Sequence, residues 1–149
     1  MVIREIPFGS GLYYRGTVFR ELILRRPLGL VLSEEDLRGE DQQIHIAAVR
    51  GENEIWGMVI LKQVNDRVVK LRQMAVAPDR HRCGIGRDLV RFCEKRAQER
   101  GFSVVEMHAR VSARGFYEKL GYETEGGEFM ELGNVPHIKM SRRLVGERF

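Results

Sequence analysis

The chain has 149 residues, 43% hydrophobic and 31% charged, and its 25 basic and 21 acidic side chains give a formal charge of +4. That length suits one ordinary domain, residues 1–149, with one core and hence one site. No apolar run nears the ~20 residues of a membrane span, and the basic excess is milder than the clustered charge of a dedicated nucleic-acid binder.

The opening MVIREIPFGSG carries charges where a secretion signal needs an apolar stretch. A cytoplasmic protein with neither membrane nor nucleic acid as partner is therefore expected. Cys83 and Cys93 lack the close pairing of a zinc site or disulfide framework. They read as reduced thiols, Cys93 as core filler, and no metal is expected.

From Leu12 to Leu24 the apolar residues Leu12, Val18, Phe19, Leu22 and Ile23 fall mostly at helical spacings, and Arg-Pro-Leu-Gly at 26–29 ends the pattern. Ser33 before Glu34, Glu35 and Asp36 predicts a short capped helix, because a hydroxyl and acidic first-turn residues satisfy free N–H groups and the dipole. Three β-rich runs follow, Ile44–Arg50, Ile55–Val64 and Val68–Val76, joined by connections of hairpin length.

After Pro78, Leu89, Val90, Cys93 and Ala97 recur every three or four residues, predicting a helix that ends at Gly101. Ser103–Met107 reads as a strand, Ser112–Leu120 as a helix capped by Gly121, and Tyr122–Leu132 with Pro136–Leu144 as a closing strand pair. Three antiparallel strands followed by a strand–helix–strand crossover make a mixed α/β domain.

The most informative segment is Met74-Ala-Val-Ala-Pro-Asp-Arg-His-Arg-Cys-Gly-Ile-Gly-Arg, a strand, a turn rich in bases and glycines, and a helix start. Gly84 and Gly86 let the backbone approach a ligand so that consecutive N–H groups converge on oxygens, and the helix dipole adds positive potential. Arg80, Arg82 and Arg87 add full charges, as a diphosphate with a further sugar phosphate would demand. A G-x-G turn by itself is equally compatible with tight helix packing. A dinucleotide fold is disfavoured by the missing third glycine and following acid, and no phosphate-binding lysine motif is present.

VAPDRHRCGIGRDLV resembles the cofactor motif of the GNAT acyltransferase superfamily, whose Q/R-x-x-G-x-G/A turn holds the pyrophosphate of acyl-CoA, and ARGFYEKLGY at 113–122 resembles its second motif. The similarity covers roughly residues 44–144. RRPLGL at 25–30, RQMAV at 72–76 and EFMELGNVPHIKM at 128–140 are similar to the small bacterial ElaA/YjcF-like subgroup. His81 stands where the family usually carries Gln or Arg, and Arg110 where many members carry Asn.

The resemblance implies the GNAT fold, a central mixed, mostly antiparallel twisted sheet flanked by helices, and an acetyl-CoA-dependent N-acetyltransferase. It implies direct transfer to a primary amine of a small molecule or peptide in a ternary complex. The cofactor contacts it implies are Met74, Ala75, Val76, Arg82, Cys83, Gly84, Ile85, Gly86, Arg87 and Tyr117. Arg72–Val76 would splay from its neighbour, pair with the pantetheine arm and point an N–H at the thioester oxygen.

Tyr117 matches the tyrosine that protonates the leaving thiolate; packing beside Phe116 and Leu120 is the alternative. For the base, Glu131 and His137 flank the connection Leu132–Pro136 and could face each other across the closing strands. Arg25, Arg26 and Gln73 are candidates for the acceptor site, a solvated pair being the alternative for the arginines. A CoA-binding sensor without catalysis is the competing class, and a homodimer is left open.

Overall fold

The computed structural model describes residues 1–144. Its strands are β1 (Val2–Ile6), β2 (Ile44–Arg50), β3 (Glu54–Gln63), β4 (Val68–Val76), β5 (Val104–Arg110), β6 (Glu123–Glu131) and β7 (Val135–Arg143). The helices are α1 (Gly11–Arg20), α2 (Glu34–Leu37), α3 (Ile85–Glu99) and α4 (Arg114–Lys119). The strands form one mixed sheet in the order β1-β2-β3-β4-β5-β7-β6. The meander and the α3 crossover expected from sequence are both present; β1 is an addition, since its five residues carry too little alternation to stand out.

The chain divides into two compact units, Met1–Lys62 with Arg72–Cys93, and Gln63–Leu71 with the chain from Glu94.

In the first unit β1 and β3 pair antiparallel with β2. Ile6, Ala47, Val49 and Met58 make a core cluster against which Leu12, Phe19 and Ile55 pack. Ser10 caps α1 by accepting the Tyr13 N–H, and Ser33 and Asp36 close a capping box on α2. The buried stripe of α1 is Tyr13, Gly16 and Arg20. The apolar face expected from sequence is corrected in part: Leu12 and Phe19 pack on the core, but Val18 and Leu22 are exposed.

The reason is a polar cluster. The buried Glu40 carboxylate accepts from Arg20 Nη1 at 2.7 Å and Nη2 at 2.9 Å, from Tyr13 Oη at 2.8 Å and from Arg72 Nη1 at 2.9 Å. Arg20 Nη1 also donates to Gln73 Oε1 at 3.0 Å, and Gln73 sits at φ +54°, a left-handed kink within β4. Burial alone would raise the Glu40 pKa, but Arg20, Arg72 and Tyr13 outweigh it and hold the carboxyl below its ordinary value. Burial and the Glu40 bond push Tyr13 up to about 12.

A close approach fixes α3. A Cβ on Gly57 would stand 3.0 Å from Ile85 Cγ2, 3.0 Å from Leu89 Cδ1 and 3.2 Å from the Ala75 carbonyl oxygen, so glycine lets the start of the helix lie directly on β3.

In the second unit β4 and β5 pair parallel over Val68–Lys70 and Val104–Glu106, β5 pairs antiparallel with β7, and β7 with β6. Glu94 accepts from Tyr122 Oη at 2.9 Å and bridges Arg142 at 2.9 Å, tying the end of α3 to β7.

Gly57→Ala is expected to cost about 1–3 kcal/mol by overpacking, read as a lower Tm. Glu40→Gln should cost about 3–5 kcal/mol at neutral pH, because it leaves buried guanidinium charge uncompensated. Since the folded-state pKa of Glu40 is depressed, its stabilisation is complete above the unfolded value of about 4.3 and is lost as pH falls through the folded value. Urea unfolding should therefore show the gap between wild type and Glu40→Gln narrowing as pH drops below about 4.

Candidate active site

In the first unit the segment after β4 turns through Pro78–Arg80 and enters α3 at Ile85. Arg82 at φ +67° and Gly84 at φ +82° both adopt the left-handed conformation. Alternation of this kind turns successive N–H groups toward one side and makes an anion-binding concavity. The Asp88 N–H makes its helical bond to the Gly84 carbonyl at 3.0 Å, so Gly84 is the residue from which α3 starts. The N–H groups of Ile85, Gly86 and Arg87 occupy the first turn, where an α-helix supplies no internal acceptor. Gly86 lies inside α3, so of the two glycines only Gly84 uses the freedom expected of both.

The basic side chains divide. Arg80 lies with its guanidinium 4.0 Å from the centroid of the Trp56 ring, a stack that takes its charge out of the turn. Arg82 is exposed, and Arg87, 61% exposed, reaches its own neighbour Asp88 at 3.4 Å. His81 does not act as a ligand-facing Gln or Arg would: its Nε2 donates to the Val76 carbonyl at 3.1 Å, which latches the turn to the end of β4. Cys83 is exposed and Cys93 buried. Within β4, Met74 and Val76 are half-buried and Ala75 is buried.

Of the residues expected at the acceptor, two are committed elsewhere. Arg25 is buried and bonds Asp36 through Nε at 3.2 Å and Nη2 at 2.9 Å. Against burial, which would raise it, Arg25 and Ser33 hold Asp36 below its ordinary pKa. Gln73 accepts from Arg20, as above. Arg26 keeps an exposed guanidinium, 3.6 Å from Glu21. Between them Glu21–Arg25 forms a π turn, closed by the Arg26 N–H on the Glu21 carbonyl, a feature frequent at functional sites.

In the second unit Tyr117 is buried in α4, edge-on to Phe116 at 4.9 Å and to Tyr122 at 5.9 Å. The expected facing of Glu131 and His137 is corrected by the strand register, which sets Phe129 opposite His137 and Glu131 opposite Val135. His137 is buried, donates from Nδ1 to the Val135 carbonyl at 2.9 Å and stacks on Phe129. Glu131 instead accepts from Nδ1 of His108 at 2.7 Å. Sequence reasoning misses His108; the alternation Val105, Met107, Ala109 against Glu106, His108, Arg110 marks it only as a polar-face residue.

Among the described residues no cluster of His, Cys, Asp and Glu could hold a metal ion, and no helix is long and apolar enough to cross a membrane.

The mixed sheet, the glycine turn and the helix it opens are those of a known class: the Acetyltransferase (GNAT) family model matches residues 15–122, and the chain belongs to that family. It spans half the length of the first curated relatives it matches; a Bacillus subtilis protein bearing an acetyltransferase name is 36% identical over 74 residues, 50% of each chain. The uncharacterized N-acetyltransferase YjcF of Bacillus subtilis is 27% identical over 128 residues, 83% of this chain and 86% of that one.

Among solved structures, Escherichia coli ElaA has a TM-score of 0.78 at 18% identity, covering 95% of this chain and 98% of that one. An aminoglycoside 6'-N-acetyltransferase complexed with coenzyme A has a TM-score of 0.77 at 22% identity, covering 100% of both. The ElaA/YjcF likeness expected from sequence is thus present, and these structures share the fold.

Proposed function

We propose that the chain is an acetyl-CoA-dependent N-acetyltransferase, one catalytic domain that acts on a primary amine by direct transfer in a ternary complex. The observation that carries this reading is the paired left-handed geometry of Arg82 and Gly84 at the start of α3, in a chain whose family is defined by such a turn. Converging N–H groups suit a pyrophosphate, with Arg82 and Arg87 as secondary contacts.

Acetyl-CoA supplies an acetyl group on a good leaving thiolate. The backbone of Met74–Val76 pairs with the pantetheine arm and donates an N–H to the thioester oxygen, stabilising the charge that develops there. Tyr117 gives its phenolic proton to the thiolate. Arg26 is the remaining candidate for an anionic group on the acceptor.

Saturating CoA, at 100 times its dissociation constant, should stabilise wild type by about 2.7 kcal/mol, seen as a raised Tm. Gly84→Ala places a side chain at φ +82° and 3.0 Å from the Arg87 guanidinium, and should abolish most of that shift. No shift in wild type at millimolar CoA would sink the reading. Tyr117→Phe should lower amine-dependent CoA release by about 10²-fold while keeping the CoA shift; a full rate would remove Tyr117 from the acid's role.

A further inference from the structure

The four histidines of the chain are held in different ways. His45 is buried with Nε2 on the Glu40 carbonyl at 2.8 Å, and burial lowers its pKa. His81 is tied to the Val76 carbonyl, and His137 is buried on the Val135 carbonyl. His108 alone bonds a carboxylate, Glu131, and its side chain is 34% exposed.

A carboxylate on Nδ1 fixes the neutral imidazole as the Nδ1–H tautomer and leaves the Nε2 lone pair as the proton acceptor. The same bond holds the ring in one orientation, with Nε2 turned away from the carboxylate. Phe129 stands edge-on to the His108 ring at 5.1 Å and restricts its rotation. The nearby Lys139 is engaged by Glu106 at 3.6 Å and Glu125 at 3.8 Å, so its ammonium is neutralised by two acids and does not compete for Glu131.

We propose that His108 is the base of the transfer and Glu131 its positioning residue, an inference that rests on the acetyltransferase reading above. The acceptor class is a primary amine that arrives as an ammonium ion and, before it attacks, gives one proton to His108 Nε2, which passes it to solvent. As the amine nitrogen bonds to the acetyl carbon, the C–S bond breaks. The nitrogen's surplus proton passes to His108 Nε2, while the thiolate takes the phenolic proton of Tyr117. Exchange with solvent then removes this second proton from His108 and restores the phenol, so that ammonium ion and acetyl-CoA become amide, CoA thiol and one proton released to solvent, with no net gain or loss of protons by the protein.

The test uses the full chain with kanamycin, spermidine and glycine amide as amine probes, read by CoA-thiol release, together with 15N spectra of the histidine side chains in the unliganded protein. His108→Gln should lower kcat about 10²-fold with the CoA thermal shift intact, and imidazole in solution should recover part of the rate of His108→Ala. Glu131→Gln should lower kcat by less and move the His108 resonances toward the Nε2–H tautomer.

A His108→Gln variant at the wild-type rate, or a loss in His108→Ala that imidazole does not recover, overturns the assignment and leaves the pair a surface contact. A Glu131→Gln spectrum identical to wild type overturns the positioning role. Absence of release from wild type with all three probes, despite a CoA shift, counts instead against the acetyltransferase reading, and the base falls with it.

Discussion

The first unit is organised around one buried carboxylate. Glu40, fully removed from solvent, would cost several kcal/mol to desolvate as an ion without compensation. Its two oxygens instead receive four N–H or O–H donors, from Tyr13, Arg20 twice and Arg72. Hydrogen bonds to a charged group are short-range and directional, so each donor must arrive from one direction. Tyr13 and Arg20 are seven residues apart on α1, two turns along one face, which fixes the rotation of the helix. Arg72 and Gln73 lie on β4, so the same contacts fix the kink that precedes Met74–Val76. A mostly polar seam here accomplishes what an apolar stripe does elsewhere, with greater demand on geometry.

That seam explains where periodicity misleads. Through α1 and the π turn after it the sequence offers Val18 and Leu22 as part of an apolar face, but these are exposed, and the buried stripe of α1 is a tyrosine, a glycine and an arginine. Hydropathy cannot identify an arginine as buried when its partner lies twenty residues away. The strands and α3 are legible because their apolar residues do face a core: Val69 and Leu71 in β4, and Leu89, Val90, Cys93 and Ala97 in α3. The turn at 82–86 is legible for a different reason, since Gly84 takes the left-handed conformation that glycine favours, although Gly86 does not and the equally left-handed Arg82 gives no such sign. Its side chains are less so, because Trp56, which holds Arg80, comes from a strand far earlier in the chain.

The division between backbone and side chains also accounts for the tolerance of the turn to an unusual residue. Where the family favours Gln or Arg, His81 bonds the Val76 carbonyl and so holds the turn against the strand that precedes it. The concavity itself is made by the left-handed residues Arg82 and Gly84 and by the first turn of α3. An anion held by backbone N–H groups is indifferent to the side chain at 81, provided that the latch keeps those groups converging.

The contact between His108 and Glu131 in the second unit lies beside an irregularity that no strand pattern predicts. Along β7, His108 lies opposite Lys139 and Glu131 opposite Val135. Four residues at ~3.3 Å each would separate the two by about 13 Å along a flat sheet. Their side chains nevertheless meet at 2.7 Å, and β6 is not regular: its register shifts between Glu125 and Phe129, around Gly126 at φ +74°, without which Glu131 would lie two residues further along β7. Before the shift Glu125 opposes Lys139; after it Phe129 opposes His137, so two extra residues are accommodated in β6. A displacement of one would have moved Phe129 and Glu131 to the other face, whereas two keeps them on the face that carries His108. The two extra residues bring Glu131 two positions nearer to His108 along β7 than an unshifted register would. Reading the pair from sequence would have required knowing both the bulge and its size, and Gly126-Gly127 marks only that one could occur.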